Sequence, residues 1–253
     1  MKRFAFAIGL LLLALSINSC SNKGDSTSNA LIIKEIHSDT ICIENIDSLF
    51  NANKITYHPI EIDNWGRNGG YAPDVKFAMA HSNNNILLQY VVTEDDILAT
   101  YGEDAGSRPY MDSCVEFFWK PYRDSSFYYN LEMNCIGYGL FAVGDKIVRR
   151  NNIEREHHDA IKRFSTLGDK PFGLRRFQEN GENSYSWSLS LIIPASSLLP
   201  LEENPTIKGR SIYANFYKCG SEMPQPHYLS WMPIHSENPN FHQPQFFGEI
   251  IFE

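Results

Sequence analysis

The sequence predicts an all-β fold, an antiparallel sandwich of the immunoglobulin-like or jelly-roll type with one or two short helices. Three observations carry this. Apolar residues recur at every second position through many short segments, the period at which the side chains of an extended strand return to one face. Turn-forming clusters separate those segments at 82–85 (SNNN), 122–126 (YRDSS), 179–184 (ENGENS) and 236–240 (SENPN). Helical periodicity is scarce. Many short strands at this spacing make a sandwich or a barrel.

The N-terminus stands apart from that pattern. Lys2 and Arg3 precede an apolar run from Phe4 to Ile17, shorter than the ~20 residues a membrane-spanning helix needs, so residues 1–19 read as a secretory signal. The run ends in SINSC, and the order Ile17, Ser19, Cys20 resembles the lipobox of bacterial lipoproteins. That resemblance implies lipidation of Cys20 and an exported protein anchored in the cell envelope, with the outer membrane as the expected location. Small polar residues follow Cys20, the composition of a flexible tether. Residues 20–54 are read as tether and N-terminal extension, the latter either adding a strand or running along the surface. The compact domain is expected over 55–253.

Within it the strands declare themselves in order. VKFAMAH places Val75, Phe77 and Met79 on one face, and NILLQYVVTE does the same with Ile86, Leu88, Tyr90 and Val92. SYSWSLSLIIP alternates Trp187, Leu189, Leu191 and Ile193 with three serines. SIYANFYKC and FFGEIIFE continue the pattern, and PASSLLP, bounded by Pro194 and Pro200, fits a short helix. Trp65 and Trp231 are expected in the core or covering an edge, as large aromatics mostly are.

Composition narrows the function. The formal net charge is −8, and loss of Lys2 and Arg3 with the signal makes it more negative by two. Such a body repels nucleic acid and anionic membrane surfaces. Aromatic residues reach 13%, enough to place some at a surface. Cys42, Cys114, Cys135 and Cys219 permit disulfides in an exported chain, but three pairings are open. None is close-spaced as C-x-x-C, so structural zinc is not expected. His227, His235 and His242, like His157 and His158, follow no ligand spacing. The acidic runs TEDDI and GEDAG do not match the D-x-D-x-D-G calcium loop and read as solvated charge. No cofactor is assigned and the metal content is left open.

One stretch carries chemistry, RPYMDSCVEFFWKP at 108–121. Read as a strand over 110–119, it puts Tyr110, Asp112, Cys114, Glu116 and Phe118 on one face. Met111, Ser113, Val115, Phe117 and Trp119, the more apolar set, go to the core. Asp112 and Glu116 are then ~13 Å apart along the strand, too far for the ~5–9.5 Å of a glycosidase pair. A neighbouring strand, YYNLEMN, presents Asn130, Glu132 and Asn134 beside Glu116. A Glu116/Glu132 pair ~5 Å apart across strands keeps a hydrolytic alternative open.

APDVKFAMAHSNNNILLQYVVTEDDI, DSCVEFFW, YYNLEMN, WSLSLIIP, ANFYKCG and LSW with NFHQPQFFGEIIF follow one another in an order that resembles family 9 carbohydrate-binding modules. The likeness is in particular to family 9-like proteins of Bacteroides-type bacteria, and it covers roughly 55–252. It implies a β-sandwich with an exposed slot where two aromatic rings clamp a terminal sugar. Tyr110 falls on the first ring, Phe241 on the second, Glu116 on a hydroxyl-binding acid and Asn238 on a polar contact. Four positions depart from the family pattern: Tyr110 and Phe241 stand where tryptophan is expected, Glu132 where an arginine binds sugar, and Tyr217 where a glutamine does. The resemblance also allows structural calcium. The expectation is an envelope-anchored accessory protein that binds a mono- or oligosaccharide and assists polysaccharide catabolism, rather than an enzyme. A further alternative is a haem-binding sandwich, with Met133 and a distant histidine as axial ligands; Met79 and His81 lie too near one another in sequence to flank one haem.

Overall fold

The computed structural model describes residues 30–253 except 39, 67–69, 105, 147–148 and 177–183. The signal segment, Cys20, the tether through residue 29 and most of the 179–184 turn lie outside the described residues.

Two sheets face each other. The larger contains, in spatial order, β1 (Leu31–Ile33), β15 (Gly248–Phe252), β13 (Ser211–Gly220), β6 (Cys114–Lys120), β7 (Tyr128–Asn134), β8 (Gly139–Lys146) and β9 (Arg149–Asn152), with β14 (His227–Ser230) also paired to β13. The smaller runs β10 (Lys162–Ser165), β12 (Tyr185–Pro194), β4 (Asn85–Glu94), β3 (Asp74–Ser82) and β2 (His58–Pro59). β5 (Asp96–Ala99) pairs separately with β11 (Phe172–Arg176). The pairings are antiparallel except β1 with β15, which is parallel and departs from the all-antiparallel expectation.

The alternation read from sequence is realised. Phe77, Met79, Leu88, Tyr90, Leu189 and Leu191 from the smaller sheet meet Val115, Phe117, Trp119, Leu131, Met133 and Phe216 from the larger in one buried core. Aromatic rings form its centre: Phe77 stacks on Phe216 at 3.7 Å between centroids, and Phe216 on Phe117 at 5.0 Å. Trp231 meets both Phe77 and Phe216 edge-on, a core role. The β3–β4 hairpin closes through Asn83 and Asn84, both at positive φ, which asparagine tolerates better than most residues and which a two-residue hairpin needs.

The N-terminal extension does not wander. β1 lengthens the larger sheet, while Ile36, Ile46 and Phe50 bury themselves against Ala78, Ala80, Leu87 and Ile192 on the outer face of the smaller one. Phe50 belongs to α1 (Ile46–Ala52). The folded body thus takes in the described residues between 31 and 54 as well as those of the expected domain from residue 55. The helix read from PASSLLP is present as α3 (Ala195–Leu198), after α2 (Arg155–Asp159).

Met133 and Met79, the methionines weighed as haem ligands, are buried in the inter-sheet core. The acidic runs are engaged internally. Glu94 of TEDDI is buried against Lys218 at 2.8 Å, and Asp104 of GEDAG is held by Arg163 at 2.8 Å. Glu94 and Asp104 are thus each paired with a cation, where solvated charge was expected.

Candidate ligand cleft

The larger sheet has a second, outward face, and it is also largely covered. β6, β7 and β13 send Cys114, Phe118, Tyr128, Tyr217 and Cys219 outward, where Ile234, Phe241 and Phe247 of the C-terminal segment pack over them. Where that cover stops short, a cleft of about 420 Å³ opens. Glu116 of β6, Asn130 and Glu132 of β7, Arg150 of β9 and Cys219 of β13 reach it from the sheet, with Tyr110 and Tyr228 on one side and Asn240, Phe241 and His242 on the loop side.

Tyr110 arrives there by a route the alternation missed. Pro109 opens a short 3-10 turn, Pro109–Met111, and the strand begins only at Cys114. The turn is fixed by Ser221 N–H donating to the Tyr110 carbonyl at 2.9 Å. The Tyr110 ring is 41% exposed. Asp112, fully buried, never reaches the cleft. Its carboxylate accepts from Thr100 N–H, Tyr101 N–H, Thr100 Oγ1 and Asn134 Nδ2 at 2.7–3.2 Å. It is a lock between loops, not a member of an acid pair.

Phe241 lines the cleft but offers it little. Its ring stacks on Tyr217 at 4.1 Å and 11°, Trp65 lies 5.9 Å away, and the residue is 8% exposed. Only a rim of that ring meets the cleft. Trp65 is partly buried there, packed against the same outer cluster. Tyr217, expected as a sugar contact, is sealed beneath Phe241, its hydroxyl donating to the Phe241 carbonyl at 3.2 Å. Asn238 lies off the cleft wall; Pro239, Asn240, Phe241 and His242 form that part of it.

The polar floor is a connected string. Arg150 Nε donates to Asn130 Oδ1 at 2.7 Å, and Asn130 Nδ2 donates to Glu132 Oε1 at 2.6 Å. Glu132 faces Glu116 directly across the β6–β7 pair. The Arg150 guanidinium lies 4.2 Å over the Tyr128 ring, and its Nη1 has no protein partner. Burial lifts the Glu132 carboxyl to about 7, against the pull of Asn130 and Arg150. Burial, then Cys219 and Glu132, raise the Glu116 carboxyl well above its ordinary value. Burial, helped by Arg150, presses His242 down to about 3. It is therefore neutral, with Nδ1 2.8 Å from the Tyr128 hydroxyl.

The other histidines disperse. His227 is buried beside Lys218, His235 packs on Phe246, and His158 lies beside Asp104.

Sequence reasoning missed Arg150, Asn240 and Cys219 as cleft residues. Asn130 was legible, because strand alternation set it beside Glu132. Arg150 had only a basic pair in KIVRRNN to mark it, and nothing local tells which strand end turns toward a cleft.

An apolar ring beside convergent hydroxyl, amide, carboxyl and guanidinium groups is the general form of a small-ligand site. A pyranose, with one C–H face and a rim of hydroxyls, matches it chemically.

Comparison with known proteins agrees. The sequence model of carbohydrate-binding family 9 matches residues 44–252. A candidate carbohydrate-binding protein from Bacteroides uniformis superposes with a TM-score of 0.81 at 36% identity, covering 88% of this chain and 99% of that one. Two structures of a family 9 carbohydrate-binding module from Caldicellulosiruptor kristjanssonii, one with glucose and one with cellotriose, give TM-scores of 0.55 and 0.53. Both are 14% identical, covering 88% of this chain and 95% and 93% of theirs; at that identity they speak to the fold. No curated protein matches. With the match running through both sheets and the cleft, the chain belongs to carbohydrate-binding family 9.

Proposed function

We propose that the domain binds a mono- or oligosaccharide without cleaving it, in the cleft beside Tyr110, and that lipidation at Cys20 anchors it to the cell envelope to assist polysaccharide catabolism. The observation that carries the reading is the exposed Tyr110 ring facing a floor of Asn130, Glu132 and Arg150 in one cleft. The ring takes the apolar face of a sugar, and the floor takes its hydroxyls. Arg150 Nη1, buried behind that floor, has no protein partner. Only the rim of Phe241 borders the slot, so stacking falls chiefly to Tyr110.

The Glu116/Glu132 pair favours one competing reading, a retaining hydrolase. An oligosaccharide panel decides between them. Incubation with the protein leaves the sugars intact while at least one binds calorimetrically. Hydrolysis that disappears in Glu116→Gln would establish the enzyme instead. For the anchor, Cys20→Ala is expected to release the protein from the membrane fraction; unchanged fractionation would reject lipidation there.

A further inference from the structure

The cleft floor contains a group that sugar binding does not explain. Cys114 and Cys219 are directly opposite each other across the β6–β13 pair, both buried and both free thiols. Between them stands Glu116. Cys219 Sγ is 3.1 Å from Glu116 Oε1 and Cys114 Sγ is 3.9 Å from it. One ligand atom from each of the three residues lies within 4.8 Å of the others. Among the described residues no cation pairs with this buried carboxyl.

We propose that Cys114, Cys219 and Glu116 form a three-ligand site for a thiophilic divalent cation of the zinc class. The geometry is that of one face of a coordination tetrahedron. Zn–S of ~2.3 Å and Zn–O of ~2.1 Å set the edges of such a face at roughly 3.6 Å for S···O and roughly 3.8 Å for S···S. The two S···O separations, 3.1 and 3.9 Å, bracket the S···O value. The three ligand atoms already lie within 4.8 Å of one another, so side-chain rotation alone has to close the face.

The chemistry also fits. Two thiolates and a carboxylate select a soft or borderline ion over calcium or magnesium. Binding removes the protons of the two thiols and of Glu116, released to solvent as the ion enters. Buried strands β6 and β13 hold all three ligands, so the site is rigid. Glu116 and Cys219 also line the cleft, which leaves the fourth coordination position open toward it, for water or a ligand hydroxyl. The inference does not rest on the saccharide reading.

Its test is metal uptake by the purified protein, reduced, stripped with chelator and dialysed against Zn²⁺. One tightly bound equivalent by elemental analysis is expected, falling to none in Cys114→Ser and in Cys219→Ser and unchanged in Cys42→Ser. Co²⁺ in place of Zn²⁺ should give a thiolate-to-metal charge-transfer band. Should the serine variants fail to fold, the parent protein still answers: Zn²⁺ must protect two thiols from alkylation. No uptake, uptake retained in both variants, or a Cys114–Cys219 disulfide with no uptake after reduction would each overturn the site. Sugar titration of the stripped protein, run in parallel, separates loss of metal from loss of the saccharide reading.

Discussion

At the scale of single residues, two carboxyls four positions apart have opposite duties. Asp112 accepts four hydrogen bonds that tie Thr100, Tyr101 and Asn134 together. Asp112→Ala strands buried donors, so it should cost about 3 kcal/mol or more, read as a shift in the urea midpoint; a change below about 1 kcal/mol would contradict the lock. Glu132 behaves differently because burial raises it to about 7. The folded state then keeps a proton that the unfolded chain releases near 4.5, so this residue's contribution to stability falls as pH rises from about 4.5 through 7. Relative to the parent, Glu132→Gln should gain about 1–3 kcal/mol of stability between pH 4.5 and 8. Denaturation at both pH values checks it, and a pH-independent difference would refute the assignment. These duties were only partly legible. Alternation placed Glu116 and Glu132 side by side, because face assignment needs only local spacing. It also carried Tyr110 onto the strand, because a proline-started turn in front of a strand interrupts the period without announcing it. The meeting of Cys114 with Cys219 was invisible, since it depends on β13 lying beside β6, which no spacing within either segment encodes.

At the scale of elements, β4 and β13 are joined through the core by an ion pair. Lys218 and Glu94 are both fully buried, 2.8 Å apart, and Trp187 Nε1 donates to the same carboxylate at 2.8 Å. Removing one partner leaves an uncompensated buried charge, which typically costs ~3–5 kcal/mol. Lys218→Met alone should therefore destabilise by about that amount, and Glu94→Gln in the same chain should recover a large part of it. Thermal unfolding of the four proteins of this cycle measures the coupling, and additive effects would exclude it. This pair explains why one lysine interrupts an otherwise apolar strand face. From sequence its partner Glu94 lay in a run read as solvated acid.

At the scale of the whole molecule, the sandwich is closed by segments far apart in the chain. β1 pairs in parallel with β15, and α1 covers the smaller sheet through Phe50, so the described residues between 31 and 54 are part of the folded body. A protein beginning at residue 55 should lose several fully buried side chains and unfold at a markedly lower temperature than one beginning at residue 30; equal midpoints would contradict this reading. The sandwich class was legible because period-two patterning is repeated in every long strand. The N-terminal layer was not, because its apolar residues follow neither period cleanly. Both sheets serve the cleft by fixing one face of β6, β7 and β13 as a rigid floor, while Tyr110 and the C-terminal loop provide walls. The claim on which the function turns is that Tyr110 is the ring a sugar stacks against. Calorimetric titration of a bound saccharide into the parent and Tyr110→Ala tests it most directly, since Tyr110 is 41% exposed and its removal should leave the unfolding midpoint close to that of the parent. Loss of a stacking contact worth ~0.5–1.5 kcal/mol predicts a Kd raised roughly two- to tenfold. An unaltered Kd in the variant, or no binding of any saccharide by the parent, would contradict it.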